Sequence, residues 1–147
     1  MNDTLKMHGA MEAVLVRANG DVEVIRKDNI IVDVGFDFIA DAIGKVASRP
    51  NVMGYIAVGT GSTAPATSQT ALVTELARAA ATYSHTTGTK TFTFTTTFAA
   101  GTATGAIQEA GVFNASSSGI IFDRVTFSVV NKGADDSLTI TFTFTMS

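Results

Sequence analysis

The 147-residue chain contains no cysteine and no tryptophan, and only two prolines and two histidines. Without cysteine, disulfides and thiolate metal sites are excluded. The net charge of −3 argues against a general nucleic-acid binder, because such proteins need surplus Lys and Arg to displace counterions. No run approaches the roughly 18 consecutive apolar residues of a membrane-spanning helix. The first residues, MNDTLKMHGAMEAV, lack the long apolar core of a signal peptide. A soluble protein made in a cytoplasm is expected. Charge is also scarce in the second half. Beyond Arg78 the only charged side chains are Lys90, Glu109, Asp123, Arg124, Lys132, Asp135 and Asp136.

What the chain does have is alternation. The length favours a single β-rich domain over 1–147, with a loose N-terminal segment at 1–10. Residues 11–18 and 21–27 flank Asn19-Gly20, the preferred pair for a two-residue hairpin turn. That turn sets Val14 opposite Ile25 and Glu12 opposite Lys27. A further strand is expected at Asn29–Val34. Residues 36–48 change period. Phe36, Ile39, Ala40, Ile43, Val46 and Ala47 share one helical face, and Asp37, Asp41 and Lys45 share the other, which predicts an amphipathic helix. Arg49-Pro50 ends it. MGYIAV (53–58) reads as a buried strand, GTGSTAPATSQ as a loop of turn residues, and TALVTELARAAA (70–81) as a second short helix. Four strands follow, at Lys90–Phe98, Gly105–Phe113, Ile120–Val130 and Ser137–Met146. The pattern predicts a mainly β fold, an antiparallel β-sandwich or jelly-roll-like arrangement with one or two helices.

Catalytic patterns are sparse. His8 and His85 stand apart, and no HExxH, H-x-E or Cys-His set occurs. Gly59-Thr-Gly61-Ser-Thr lacks the Lys of a phosphate-binding P-loop, so a flexible connection is the simpler reading. Glu109 lies in the apolar run AIQEAGVF, where a structural partner such as Arg124 or Lys132 is expected in preference to catalysis. Asp135-Asp136 reads as turn chemistry. No GxSxG is present. No enzyme, cofactor or metal site is expected.

Residues 91–98, TFTFTTTF, and 139–146, TITFTFTM, remain. Phe92, Phe94 and Phe98 alternate with Thr91, Thr93, Thr95 and Thr97. Ile140, Phe142, Phe144 and Met146 alternate with Thr139, Thr141, Thr143 and Thr145. Burying a Phe is worth about 1.5–3 kcal/mol, so the Phe side belongs to the core. Solitary sheets guard their outer faces and edges with charge. These strands carry none, and as exposed edges they would invite aggregation. A surface that meets another protein is expected. The candidate contacts are Thr91, Thr93, Thr95, Thr141, Thr143 and Thr145. The small-residue loop 59–69, with Thr60, Ser62, Thr63 and Pro65, joins them, as does the segment 1–10.

Three stretches carry a resemblance: YIAVGTGSTAPATSQTALVTELAR (55–78), FAAGTATGAIQEAGVFNASSSG (98–119) and VNKGADDSLTITFTFTMS (130–147). They are similar to segments of small structural proteins in tailed-bacteriophage virions, some of them capsid cement or decoration proteins, others labelled tail-fibre-like. The resemblance covers roughly the C-terminal two-thirds and holds no catalytic signature. It implies a sandwich or jelly roll and a non-enzymatic binding role in the phage particle. The partners implied are the major capsid protein and copies of the chain itself, as a dimer or trimer, with no nucleic acid and no membrane. A tail, baseplate or fibre adaptor binding a receptor or glycan is the alternative. Tyr55 and Tyr83 are then its candidate stacking platforms.

Overall fold

A computed structural model describes residues 4–147. The strands are β1 (Met7–Val16), β2 (Val22–Asp28), β3 (Ile30–Ile31), β4 (Tyr55–Gly59), β5 (Glu75–Ala80), β6 (Thr82–His85), β7 (Thr91–Phe98), β8 (Gly105–Phe113), β9 (Asp123–Lys132) and β10 (Ser137–Met146). The helix α1 (Asp33–Gly44) lies between β3 and β4. The fold is mainly β. Two antiparallel sheets, in the orders β2-β1-β10-β7-β6 and β3-β9-β8-β4-β5, face each other as a sandwich.

Period-2 alternation builds the core. Met11, Ala13 and Leu15 of β1, Leu138, Ile140, Phe142 and Phe144 of β10, and Phe94 and Phe98 of β7 point inward from the first sheet. Ile56, Val58, Ile107, Val112 and Val125 answer from the second. Thr96 also faces inward, and its hydroxyl donates to the Ala80 carbonyl at 2.8 Å. At both lateral margins the chain passes from one sheet to the other through a single residue. Asn29 links β2 to β3, and Ala81 links β5 to β6. Such corners let one strand serve two sheets.

Several expectations are corrected. The second helix, 70–80, is not formed, and Glu75–Ala80 is strand β5. Alanine is a good helix former, but propensity is a small preference that packing overrides. Ala77 and Ala79 pair with Val58 and Ile56 and pack against the core. The first helix runs 33–44, not 36–48. Lys45 leaves helical geometry, and Arg49 caps the free carbonyls of Ala42 and Lys45. The segment 1–10 is not loose throughout, since Met7–Ala10 pair with Thr143–Met146. Residues 1–3 lie outside the described residues.

The first hairpin forms with a different register. Gly20 N–H donates to Arg17 O and Arg17 N–H to Asp21 O, which makes a three-residue loop with Gly20 at φ 92°. Glu12 therefore faces Arg26 and Val14 faces Val24, one residue off the two-residue expectation. The charge match survives because Arg26 stands beside Lys27. Arg26 Nε donates to Glu12 Oε2 at 2.8 Å.

Candidate functional site

The threonine strands lie together. In the β10–β7 register Thr145 faces Thr91, Thr143 faces Thr93, Thr141 faces Thr95 and Thr139 faces Thr97. Hydroxyls meet across the strands in three of these rows, at 3.4 Å for 91–145, 3.2 Å for 95–141 and 2.8 Å for 97–139. Thr82 and Ser84 of β6 extend the rows opposite Thr95 and Thr93. On the other flank β1 adds Ala10 and Val14 opposite Thr143 and Thr139. The result is an outer face of hydroxyls and small apolar groups, and its threonines are half-exposed or exposed. Its charged side chains stand at one margin, where Glu12 is neutralised by Arg26 and His8 lies 3.4 Å from Asp28.

These strands are not sheet edges, so the risk of edge-to-edge aggregation does not arise. β10 sits between β1 and β7, and β7 between β10 and β6. One true edge, β2, carries Glu23, Arg26, Lys27 and Asp28, the charged guard expected of an edge. The contact reading therefore rests on the face alone.

The glycine-rich loop has its own explanation. A bulge between Ile107 and Glu109 switches the parity of β8. Ile107 points into the core, but so do Ala110 and Val112, while Glu109 turns to the far side of the second sheet. There the loop 60–74 folds over it. Glu109 Oε2 accepts from the backbone N–H of Gly61 at 2.8 Å and of Thr74 at 2.7 Å, and Oε1 accepts from Val73 at 2.8 Å. Arg124 Nε donates to Oε1 at 3.1 Å. Its Nη2 lies 3.0 Å from the same oxygen without hydrogen-bond geometry. Both side chains are fully buried. Arg124 Nη1 reaches Thr63 O at 2.8 Å and Gln69 Oε1 at 3.1 Å. The loop's N–H groups thus do cradle an anion, and the anion is the chain's own carboxylate. A Cβ at Gly61 would stand 2.4 Å from Glu109 Oε2, so only glycine fits. Leu72, Phe113, Ile121, Val32 and Ala57 form a second small core under this cover.

The loop residues proposed as contacts accordingly need no neighbour for their order. Thr60 and Pro65 are half-buried and Ser62 and Thr63 exposed, on the face of the sandwich opposite the threonine rows. The structure does not bring the two groups of candidates together.

Two other polar sites are buried. Asp123, at the start of β9, accepts from Val112 N–H at 3.0 Å and from the Asn29 side-chain amide. Burial pushes its carboxyl up to about 8, against the pull of those two hydrogen bonds. It is wholly enclosed, and both hydrogen bonds tie it to the surrounding fold. At the β9–β10 turn, Asp136 accepts from Gly133 N–H at 2.7 Å and Ala18 N–H at 3.1 Å and pairs with Arg17 at 3.2 Å. Its carboxyl is held below the usual range, chiefly by the Gly133 N–H. Lys132 donates to Ala99 O at 3.1 Å, and burial lowers its ammonium against the nearby Asp136.

That polar network seals one end of the sandwich. The other end is open. A cavity of about 450 Å³ enters between the sheets beside α1, walled by Met7, Phe38, Ile39, Phe92, Phe94 and Phe122, with Tyr83 and Val52 at its lining. Sequence periodicity did not indicate it, because it arises from how the sheets and helix meet. His8 and His85 are exposed and stand on β1 and β6, with β10 and β7 between them. Among the described residues no group of three or more His, Asp or Glu converges on one point. No helix among the described residues is long and apolar enough to cross a membrane. Comparison with protein-family models, curated proteins and solved structures returns no match.

Proposed function

We propose that this chain is a non-enzymatic structural protein of a tailed-phage virion, a capsid cement or decoration protein that binds and bridges major capsid subunits. The observation that carries the reading is the threonine face. It is broad, half-exposed and uncharged over β10 and β7, and its hydroxyls satisfy one another in pairs. Such a face loses little on dehydration, because few polar groups are stranded when water leaves. It fits a partner surface of similar character. The similarity of 55–78, 98–119 and 130–147 to virion proteins supports the same reading. Stabilisation would be additive. Each copy buries modest surface, and many symmetric copies raise the barrier to opening the shell.

The test is to purify the particles and quantify this chain against the major capsid protein. Near-stoichiometric recovery with heads is expected. Recovery only in tail fractions would overturn the capsid assignment in favour of an adaptor in the tail, baseplate or fibre. Thr95→Lys with Thr141→Lys places two charges in the centre of the face and is expected to abolish attachment to heads without unfolding the monomer.

A further inference from the structure

The helix is docked on the wrong side for its sequence. Phe36, Ala40 and Ile43 fall on one face at helical spacing. Yet the fully buried residue of α1 is Gly35, with Phe38, Ile39 and Ala42 partly covered beside it. The docked face is rotated by about a quarter turn from the apolar stripe. Phe36 remains 53% exposed, Ile43 78%, and beyond the helix Val46 95% and Val52 81%. The stripe runs into the open cavity, since Ile39 borders both and Val52 lines the mouth. A projecting apolar ridge and an apolar hollow therefore lie side by side on one end of the molecule.

We infer that this end is a homotypic interface, in which two copies pair about a two-fold axis and the α1 ridge of each covers the cavity mouth of the other. This takes up the self-association that the resemblance implies and rests on the proposed function only for its biological setting. Three features favour a second copy over other occupants. The surface is self-complementary, as an isologous contact requires. Its apolar area is of the right order. Phe36, Ile43, Val46, Val52 and Tyr83 are each more than half exposed beside the cavity walls, and a standard interface buries about 800 Å² per partner. The charges also match. Asp33 and Asp37 on the exposed flank of α1 have no ion-pair partner among the described residues, nor have Lys6 and Lys90. Those lysines lie at the cavity end, where Lys6 N–H bonds Ser147 O and Lys90 O accepts from Met146 N–H, both at 2.8 Å.

Sedimentation velocity on the full chain, without particles, tests this. A reversible dimer is expected. Ile43→Asp and Val46→Asp, at sites open enough to spare the fold, should each weaken dimerisation by about tenfold or more. Thr95→Lys should leave the dimer intact. A monomer at the highest soluble concentration would overturn the inference. So would a dimer indifferent to both aspartates, or one broken by Thr95→Lys. An apolar small molecule retained in the cavity of a monomer in native mass spectra would do the same. Because no capsid is present, these outcomes are separate from loss of head binding, which tests the proposed function itself.

Discussion

Replacing Glu109 by Gln changes one atom and removes the charge on which the second sheet's cover depends. The carboxylate holds three backbone N–H groups, those of Gly61, Val73 and Thr74, and offsets the buried charge of Arg124. An amide has one acceptor oxygen, so at least one N–H faces another donor, and Arg124 is left without its counter-charge. Breaking a buried pair from one side costs about 3–5 kcal/mol. Against a typical stability of about 5–15 kcal/mol, this removes a large share. Urea unfolding followed by circular dichroism measures it. The cost should also be local, with amide exchange accelerating at Gly61, Val73 and Thr74 before the β1–β10 core opens. Adding Arg124→Met should restore part of the loss, because the stranded guanidinium goes, although its bonds to Thr63 O and Gln69 go too. A loss below about 1 kcal/mol, or unchanged exchange across 60–74, would refute the view that this carboxylate organises the loop.

Three further outcomes are expected. Asp123 titrates near 8 in the fold and near 3.8 in the unfolded chain, so between those values the native state holds a proton that the unfolded chain has released. Its contribution to stability is complete below pH 4, falls as pH rises toward 8, and is flat beyond. Asp123→Asn should remove this slope, on the order of 6 kcal/mol in all, and make the variant the more stable protein above pH 7, as read by denaturant midpoints across pH. Gly35→Ala places a Cβ 2.3 Å from the Phe122 carbonyl oxygen, and should push α1 off the sheet and cost about 1–3 kcal/mol in thermal unfolding. Thr96→Val keeps the shape but strands the Ala80 carbonyl beside the β5–β6 corner, with an expected loss of about 1–2 kcal/mol in the same assay.

The parts of this fold that follow period 2 without interruption were legible. β10 occupies the expected span, and the Phe and Thr faces of β7 and β10 divide as their alternation requires. Of the two partners expected for Glu109, Arg124 or Lys132, Arg124 is the one it meets. What escaped depends on contacts remote in sequence. TELARAAA reads as helix because alanine has no competing local signal, and only β4 makes it a strand. The β8 bulge reverses the inside and outside of Glu109 with no mark in the sequence beyond an acid in an apolar run. The amphipathic pattern at 36–48 located a helix but not its docked side. For the candidate surfaces, the threonine rows were visible as composition, whereas their central place in the sheet and the open cavity were not.

The pairing of Met7 with Met146 has a consequence for biosynthesis. β1 and β7 both hydrogen-bond to β10, so the first sheet has no centre until residue 146 has left the ribosome. At about 5–20 residues per second, the inward side chains of β1 wait on the order of ten seconds for their neighbour. During that interval the nascent chain holds a hairpin whose greasy side has nothing to lie against. A ribosome-associated chaperone would find its client there, and truncation before residue 137 should leave that client permanently unfinished.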